Sequence, residues 1–384
     1  MTRRICVVSG SRADFGLLSP LLRELQTATD VDLQLVVTGS HLSALHGATL
    51  KEISDCGFKV DETVDMLLAS DSRHAVGVSL GLGVIGLTGA LSRLAPDVLV
   101  LLGDRYEILA AAQAALILGV PIAHIHGGES TEGAIDEAIR HSITKMSHLH
   151  FVAAQPFRQR VVQMGEDPAK VHVTGALGLD NIEALVPTPR AELEQMLGLL
   201  LDRPVVLVTY HPVTLSADGV RAFTHLLAAL DMHSDVHVVF TGANADVSGT
   251  EIAALVKVHC QSRPGRTAQV TSMGSQRYLS LMSMSAVVVG NSSSGLLEAP
   301  SMGIPSVNIG PRQRGRPRAP SVVDCGEDPT DIAAALAHAM SPGMRQLARR
   351  RLTPYGTSGA ARRIAAVLRQ VSLDGILMKQ FHDQ

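Results

Sequence analysis

The chain has 384 residues, too long for one compact core and suited to two domains. With 46% hydrophobic and 18% charged residues, its composition is that of a globular protein rather than a disordered one. A net charge of −3, 3% aromatic residues and no Trp exclude a basic polyanion-binding surface and base-stacking platforms, so no nucleic-acid partner is expected.

The cysteines Cys6, Cys56, Cys260 and Cys325 are too far apart in sequence for metal-ligand spacing. They read as thiols of a reducing, cytoplasmic compartment. The N-terminal apolar run is too short for a signal peptide, and no membrane partner is expected.

In chain order, Ile5–Ser9 has strand character, Gly16–Thr27 helical spacing, and Leu33–Val37 strand character again. Ala75–Leu91 is apolar over 17 residues and interrupted by five glycines. It reads as a buried helix at a subunit interface rather than a membrane span. Val98–Leu102 is apolar without alternation, as in a strand buried on both faces. A helix at Ile108–Leu118, a strand at Pro121–Ile125, a helix at Ala134–Met146 and a strand at His150–Ala153 follow. The pattern breaks at Pro187–Pro189 and restarts with strands at Val205–Tyr210 and Val236–Phe240 and a helix at Glu251–His259. Strands at Ala286–Val289 and Ser306–Ile309 flank a helix at Leu296–Met302, and Pro311–Pro320 is a basic, proline-rich loop. Strands alternating with helices imply βαβ units and parallel sheets, here in two halves. The predicted domains are 1–180, joined by a C-terminal helix at about 361–384, and 181–360.

Ligands of parallel sheets bind beyond the carboxyl ends of the strands, so the residues there are the candidates. Gly290-Asn291-Ser292-Ser293-Ser294-Gly295 joins a strand to a helix. Its backbone N–H groups and hydroxyls suit a phosphate, and Glu298 in the following turn suits a ribose. The bland alternative is a polar turn with a serine N-cap. Arg12, after the first strand, can pair with a phosphate, but the loop lacks the dinucleotide-binding glycines, so no nicotinamide cofactor is expected. Asp104, Glu129 and Asp136 follow neighbouring strands and should share one sheet edge, where clustered carboxylates can divide acid and base roles. The two glycines before Glu129 give its loop freedom to approach a ligand. His211 ends a strand in the second half and can donate to a phosphate. His124-X-His126 has the spacing of a metal hydrolase site, but that reading needs a closed barrel, against the two-half organisation. No metal is expected.

The motifs SGSRADFG, TGSHLS, GDRYE, HIHGGE, EGAIDEAIRHSITKMSHLHF, GALGLDNI, TYHPVT and GNSSSGLLE occur in this order over nearly the whole chain. In this the chain resembles the hydrolysing UDP-N-acetylglucosamine 2-epimerases of bacterial sialic acid and related nonulosonic acid pathways. The resemblance implies an α/β fold with two Rossmann-like domains facing across a cleft, of the glycosyltransferase-B type, and a homodimer. It implies Asp104, Glu129 and Asp136 as catalytic carboxylates. It implies Arg12, His211, Asn291, Ser292, Ser293, Ser294, Gly295 and Glu298 as ligands of the small-molecule substrate, with no metal and no cofactor. The expected reaction is UDP-GlcNAc plus water giving N-acetylmannosamine and UDP, by elimination to a glycal and hydration. The alternative substrate is UDP-N,N′-diacetylbacillosamine. A non-hydrolysing epimerase or a glycosyltransferase of the same architecture stands further off.

Overall fold

The structure, a computed structural model, describes residues 2–44, 48–70, 72–132, 134–211, 219–242, 249–270 and 273–383. Its two compact units are Met1–Glu129 with Ile135–Asp180 and Tyr355–Gln384, and Ser130–Ala134 with Asn181–Pro354.

The first unit holds a seven-stranded sheet: β1 (Arg3–Ser9), β2 (Val31–Thr38), β3 (Glu62–Val64), β4 (Val98–Leu102), β5 (Ile122–Ile125), β6 (Leu149–Val152) and β7 (Val171–Val173). Its order is β3-β2-β1-β4-β5-β6-β7, with every pairing parallel. The order reverses at β1, the place where open α/β sheets leave a crevice for ligands. Successive residues of a strand face opposite sides, and here both sides are apolar. Ile5, Val7, Val98, Val100 and Leu102 join one core with Leu18, Leu22, Ile364 and Leu368. Cys6, Val8, Leu99 and Leu101 join the other with Leu87, Leu91, Ile108 and Ala111. Each such side chain contributes about 1.5–3 kcal/mol by leaving water, which explains the unbroken apolar runs.

The C-terminal helix Ala360–Gln370 packs in the first core with helix Arg12–Gln26. Its first turn is capped at a distance: the Asp180 carboxylate accepts from the N–H groups of Ala360 at 3.1 Å and Ala361 at 2.6 Å. Beyond it, Lys379 donates to the carbonyls of Lys145 and Ser147 and to buried Glu166. Glu166 also accepts from Lys145 and His150. The tail thus clips the carboxyl end of helix Asp136–Met146.

Helix Arg73–Leu94 corrects the expectation of a buried helix. It is long and apolar enough to cross a membrane, yet only about a third of its apolar window is buried. Ala75, Ser79, Gly83, Leu87 and Ala90 face inward, where a Cβ on Gly83 or Gly86 would collide with Met66 or Val64. Val78, Leu82 and Ile85 lie outward, Ile85 with 73% of its surface exposed. A helix covering one face of a sheet needs only one apolar stripe, so its composition overstated its burial.

The second unit holds β8 (Val205–Thr209), β9 (His237–Thr241), β10 (Thr267–Val270), β11 (Val287–Gly290), β12 (Ser306–Ile309) and β13 (Val322–Cys325). The order is β10-β9-β8-β11-β12-β13, again all parallel. Helix Gly219–Asp231 and helix Pro329–Ala339 cover one face, which Val206, Val208, Val287 and Val289 fill.

Candidate functional site

In the first unit the site is built at the carboxyl ends of β4 and β5. Asp104 follows β4, Glu129 follows β5, and Asp136 opens helix Asp136–Met146. What joins them is Arg140, one turn into that helix and 1% exposed. Its guanidinium donates to the Asp104 carboxylate, to the Glu129 carbonyl at 3.1 Å and to Glu137 at 3.1 Å. The Asp104 and Glu129 loops are therefore held by one buried cation, with Asp136 on the same helix.

Both histidines of the His-X-His pair serve these loops. Buried His124 bonds the Gly103 carbonyl through Nε2 at 2.7 Å and Thr144 through Nδ1 at 3.2 Å. Burial brings its pKa down to about 3, so it is a neutral strut beneath Asp104. His126 Nδ1 lies 2.7 Å from Glu129 Oε1, and its backbone has φ +66°. Glu129 itself is buried. Gly128 (φ +74°) has a structural reason: a Cβ there would lie 2.5 Å from the Phe157 carbonyl. The expected freedom to approach a ligand is used instead for packing against helix Gln155–Gln163.

Arg12 begins helix Arg12–Gln26, whose N-cap Ser11 accepts from the Asp14 N–H. Its guanidinium is 2.8 Å from the Glu52 carboxylate. Under the loop lie Asp14, Glu107 and Arg105, all buried, with Arg105 3.3 Å from Glu107. Burial pushes both acids up, and Arg105 offsets only part of this. His41, of the TGSHLS motif, is a strut too, bonded to Ser9 at 2.8 Å and Thr49 at 2.7 Å.

In the second unit, Gly290 ends β11 at φ +139°, where a Cβ would lie 2.0 Å from the Thr209 carbonyl. Only glycine lets the chain turn this close to β8. Asn291 has a structural role beside its expected one. Its Oδ1 accepts from the His211 N–H at 2.7 Å, and its Nδ2 donates to the His211 carbonyl at 2.8 Å. With both ends of the side-chain amide engaged, it braces His211 against the serine loop. The Asn291 carbonyl accepts from Arg312 and Gln313, so the basic loop buttresses the same turn. Pro212, Val213 and Thr214 of the TYHPVT motif lie outside the described residues, as does Gly133.

Ser292 caps a 3-10 turn, Ser293–Gly295, and its Oγ accepts from Ser294 Oγ at 3.2 Å. Ser294 is tied to Tyr278 at 2.8 Å, and Tyr278 to Thr209 at 3.2 Å. Burial raises the Tyr278 hydroxyl to about 12, so it stays a neutral hydrogen-bonding group. The Gly295 carbonyl joins this frame by accepting from the Ser306 hydroxyl. The helix expected at Leu296–Met302 is shorter, Glu298–Met302, with Glu298 at its start and Pro300 inside. A five-residue helix carries little dipole, so anion binding here would rest on local N–H and hydroxyl donors.

Arg140, Asn291 as a brace and the Asp14–Arg105–Glu107 group were not singled out by sequence reasoning, and His126 was considered there only as half of a metal-ligand pair. The first lies inside the quoted EGAIDEAIRHS motif, and its signal is an arginine on the inward side of an amphipathic helix.

The family model described as UDP-N-acetylglucosamine 2-epimerase matches residues 23–369. The chain is 38% identical over 383 residues, 99% of each chain, to a Campylobacter jejuni protein named GDP/UDP-N,N′-diacetylbacillosamine 2-epimerase (hydrolyzing). It is 34% identical, over 89% of this chain and 90% of the other, to the UDP-N,N′-diacetylbacillosamine 2-epimerase (hydrolyzing) of Legionella pneumophila. Its fold is similar to that of a Neisseria meningitidis UDP-GlcNAc 2-epimerase solved with UDP-GlcNAc bound, with a TM-score of 0.80 at 19% identity, covering 96% of this chain and all of the other. A parallel α/β fold of this topology, matched along nearly its whole length, places the chain in the UDP-N-acetylglucosamine 2-epimerase family, among its hydrolysing UDP-sugar 2-epimerases.

Proposed function

We propose that the protein hydrolyses UDP-N,N′-diacetylbacillosamine with inversion at carbon 2, releasing UDP and the free manno-configured sugar. The observation that carries this is the 38% identity over 99% of the chain to a relative named for that reaction. It favours the 4-acetamido sugar over UDP-GlcNAc, the substrate expected from the motif resemblance.

The chemistry fits the residues present. The hydrogen on carbon 2 has no neighbouring carbonyl and is a poor acid. Stretching the bond from carbon 1 to the diphosphate places positive charge on carbon 1 and acidifies that hydrogen. Arg12, His211 and the hydroxyls of Ser292, Ser293 and Ser294 stabilise the departing diphosphate. Glu298 holds the ribose, and Gly295 lets the phosphate approach the backbone. The set Asp104, Glu129 and Asp136 manages the protons, directly or through a neighbouring side chain: one leaves carbon 2, water adds to carbon 1 of the glycal, and a proton returns to carbon 2 from the opposite face. The free thiols suit a cytoplasmic enzyme. The outward stripe of Val78, Leu82 and Ile85 supports a homodimer.

The test is product analysis by NMR in deuterated water, offering UDP-N,N′-diacetylbacillosamine, its GDP counterpart and UDP-GlcNAc separately. Free manno-configured sugar with deuterium at carbon 2 from the first substrate is expected. Preferred turnover of UDP-GlcNAc would restore the other substrate, and retained nucleotide-sugar or no consumption would overturn hydrolytic epimerisation.

A further inference from the structure

We infer that the base at carbon 2 is His126, and that Glu129 acts through it as a positioning residue; this rests on the 2-epimerase reading above. Three observations meet at this residue. The Glu129 carboxylate lies 2.7 Å from Nδ1, which fixes the tautomer with the proton on Nδ1 and leaves Nε2 as the acceptor. Nε2 is buried and has no hydrogen-bond partner among the described residues. A polar atom left so is costly and calls for a ligand or a chemical role. The backbone of His126 lies in the left-handed region at φ +66°, a conformation a side-chain-bearing residue adopts at some cost.

Of the two partners, the imidazole is the less buried. Its side chain is 12% exposed and that of Glu129 is 3%. Asp104 is already matched by the Arg140 guanidinium. Carbon 2 needs a base with a free lone pair, which Nε2 presents.

The C2–H bond breaks and its proton moves to Nε2. Its electron pair becomes the C1=C2 double bond. The C1–O bond breaks, and its pair leaves on the diphosphate. Glu129 offsets the charge of the imidazolium, which returns its proton to water after the free sugar departs.

His126→Gly tests this with little risk to the fold, because glycine accepts φ +66° without strain. The full chain is assayed with UDP-N,N′-diacetylbacillosamine or UDP-GlcNAc, whichever the wild type turns over, and with UDP binding by calorimetry. The expected variant folds, melts somewhat lower than wild type because buried Glu129 loses its bond to His126 while the backbone strain is relieved, binds UDP normally and turns over roughly 100- to 10,000-fold more slowly. Added imidazole should restore part of its rate, or its residual reaction should show a larger isotope effect with substrate deuterated at carbon 2. Turnover within about tenfold of wild type would overturn the assignment. So would a slow variant that neither responds to imidazole nor changes its isotope effect, since His126 would then only support the loop. A wild type that consumes no nucleotide-sugar refutes the 2-epimerase reading itself, a distinct outcome.

Discussion

The Arg140→Met substitution removes the guanidinium that ties Asp104, Glu137 and the Glu129 carbonyl together. Removing one partner of a fully buried ion pair costs about 3–5 kcal/mol. Here Arg140 is 1% exposed, but the side chains of Asp104 and Glu137 are 24% and 32% exposed and can recover water. The lost charge-assisted bonds then dominate, and the expected destabilisation is about 2–3 kcal/mol. Met fills much of the vacated apolar volume, so little of this is a cavity effect. Denaturant unfolding of wild type, Arg140→Met, Asp104→Asn and the double variant forms a cycle. Coupling of about 1 kcal/mol or more between the two sites is expected, together with loss of turnover. Additive effects within about 0.5 kcal/mol would refute the idea that Arg140 organises the carboxylate loops.

Gly290→Ala forces a Cβ against the Thr209 carbonyl at a strained φ, so about 2–4 kcal/mol of destabilisation and weakened UDP binding are expected by thermal melting and calorimetry; a variant as stable as wild type would refute the close β8–β11 turn. Lys379→Met leaves buried Glu166 with Lys145 and His150 only, and should lower stability by about 1–3 kcal/mol, with the loss seen as faster amide exchange at the end of helix Asp136–Met146. Unchanged exchange there would show that the tail does not secure the helix. Stability should also fall on acidification. His124 is held near 3, and His41 and His148 near 4, all chiefly by burial, so each is neutral when folded and takes up a proton more readily when unfolded. Their contribution is complete above about pH 6.5 and is lost as the pH falls toward 3–4. Burial raises Glu166, but bonds from His150, Lys145 and Lys379 outweigh it and bring it to about 2, which adds a loss from about pH 4.5 downward. A melting temperature independent of pH between 7 and 4 would contradict this.

The amino-acid sequence alone determined the two α/β halves, because their central strands are buried on both faces and must be apolar at every position. Val98–Leu102 and Val205–Thr209 are fully buried along their length. It did not reveal β3, β7, β10 and β13, which are the four sheet edges. An edge strand has one neighbour and partial exposure, so Glu62–Val64 and Val322–Cys325 are short and mixed in polarity and look like loops. The candidate site divides in the same way. Residues at strand ends followed by glycine or serine, such as Asp104, Glu129 and the Ser292–Ser294 run, are legible because loop position and chemical type coincide. Partnership is not legible. That Asn291 spends its amide on His211, that Arg140 gathers two loops, and that His126 leans on Glu129 depend on side chains meeting across 80, 36 and 3 residues of chain. The parallel packing of β4 beside β5, and of β8 beside β11, sets the first two distances, and the positive φ of His126 and Gly128 sets the third.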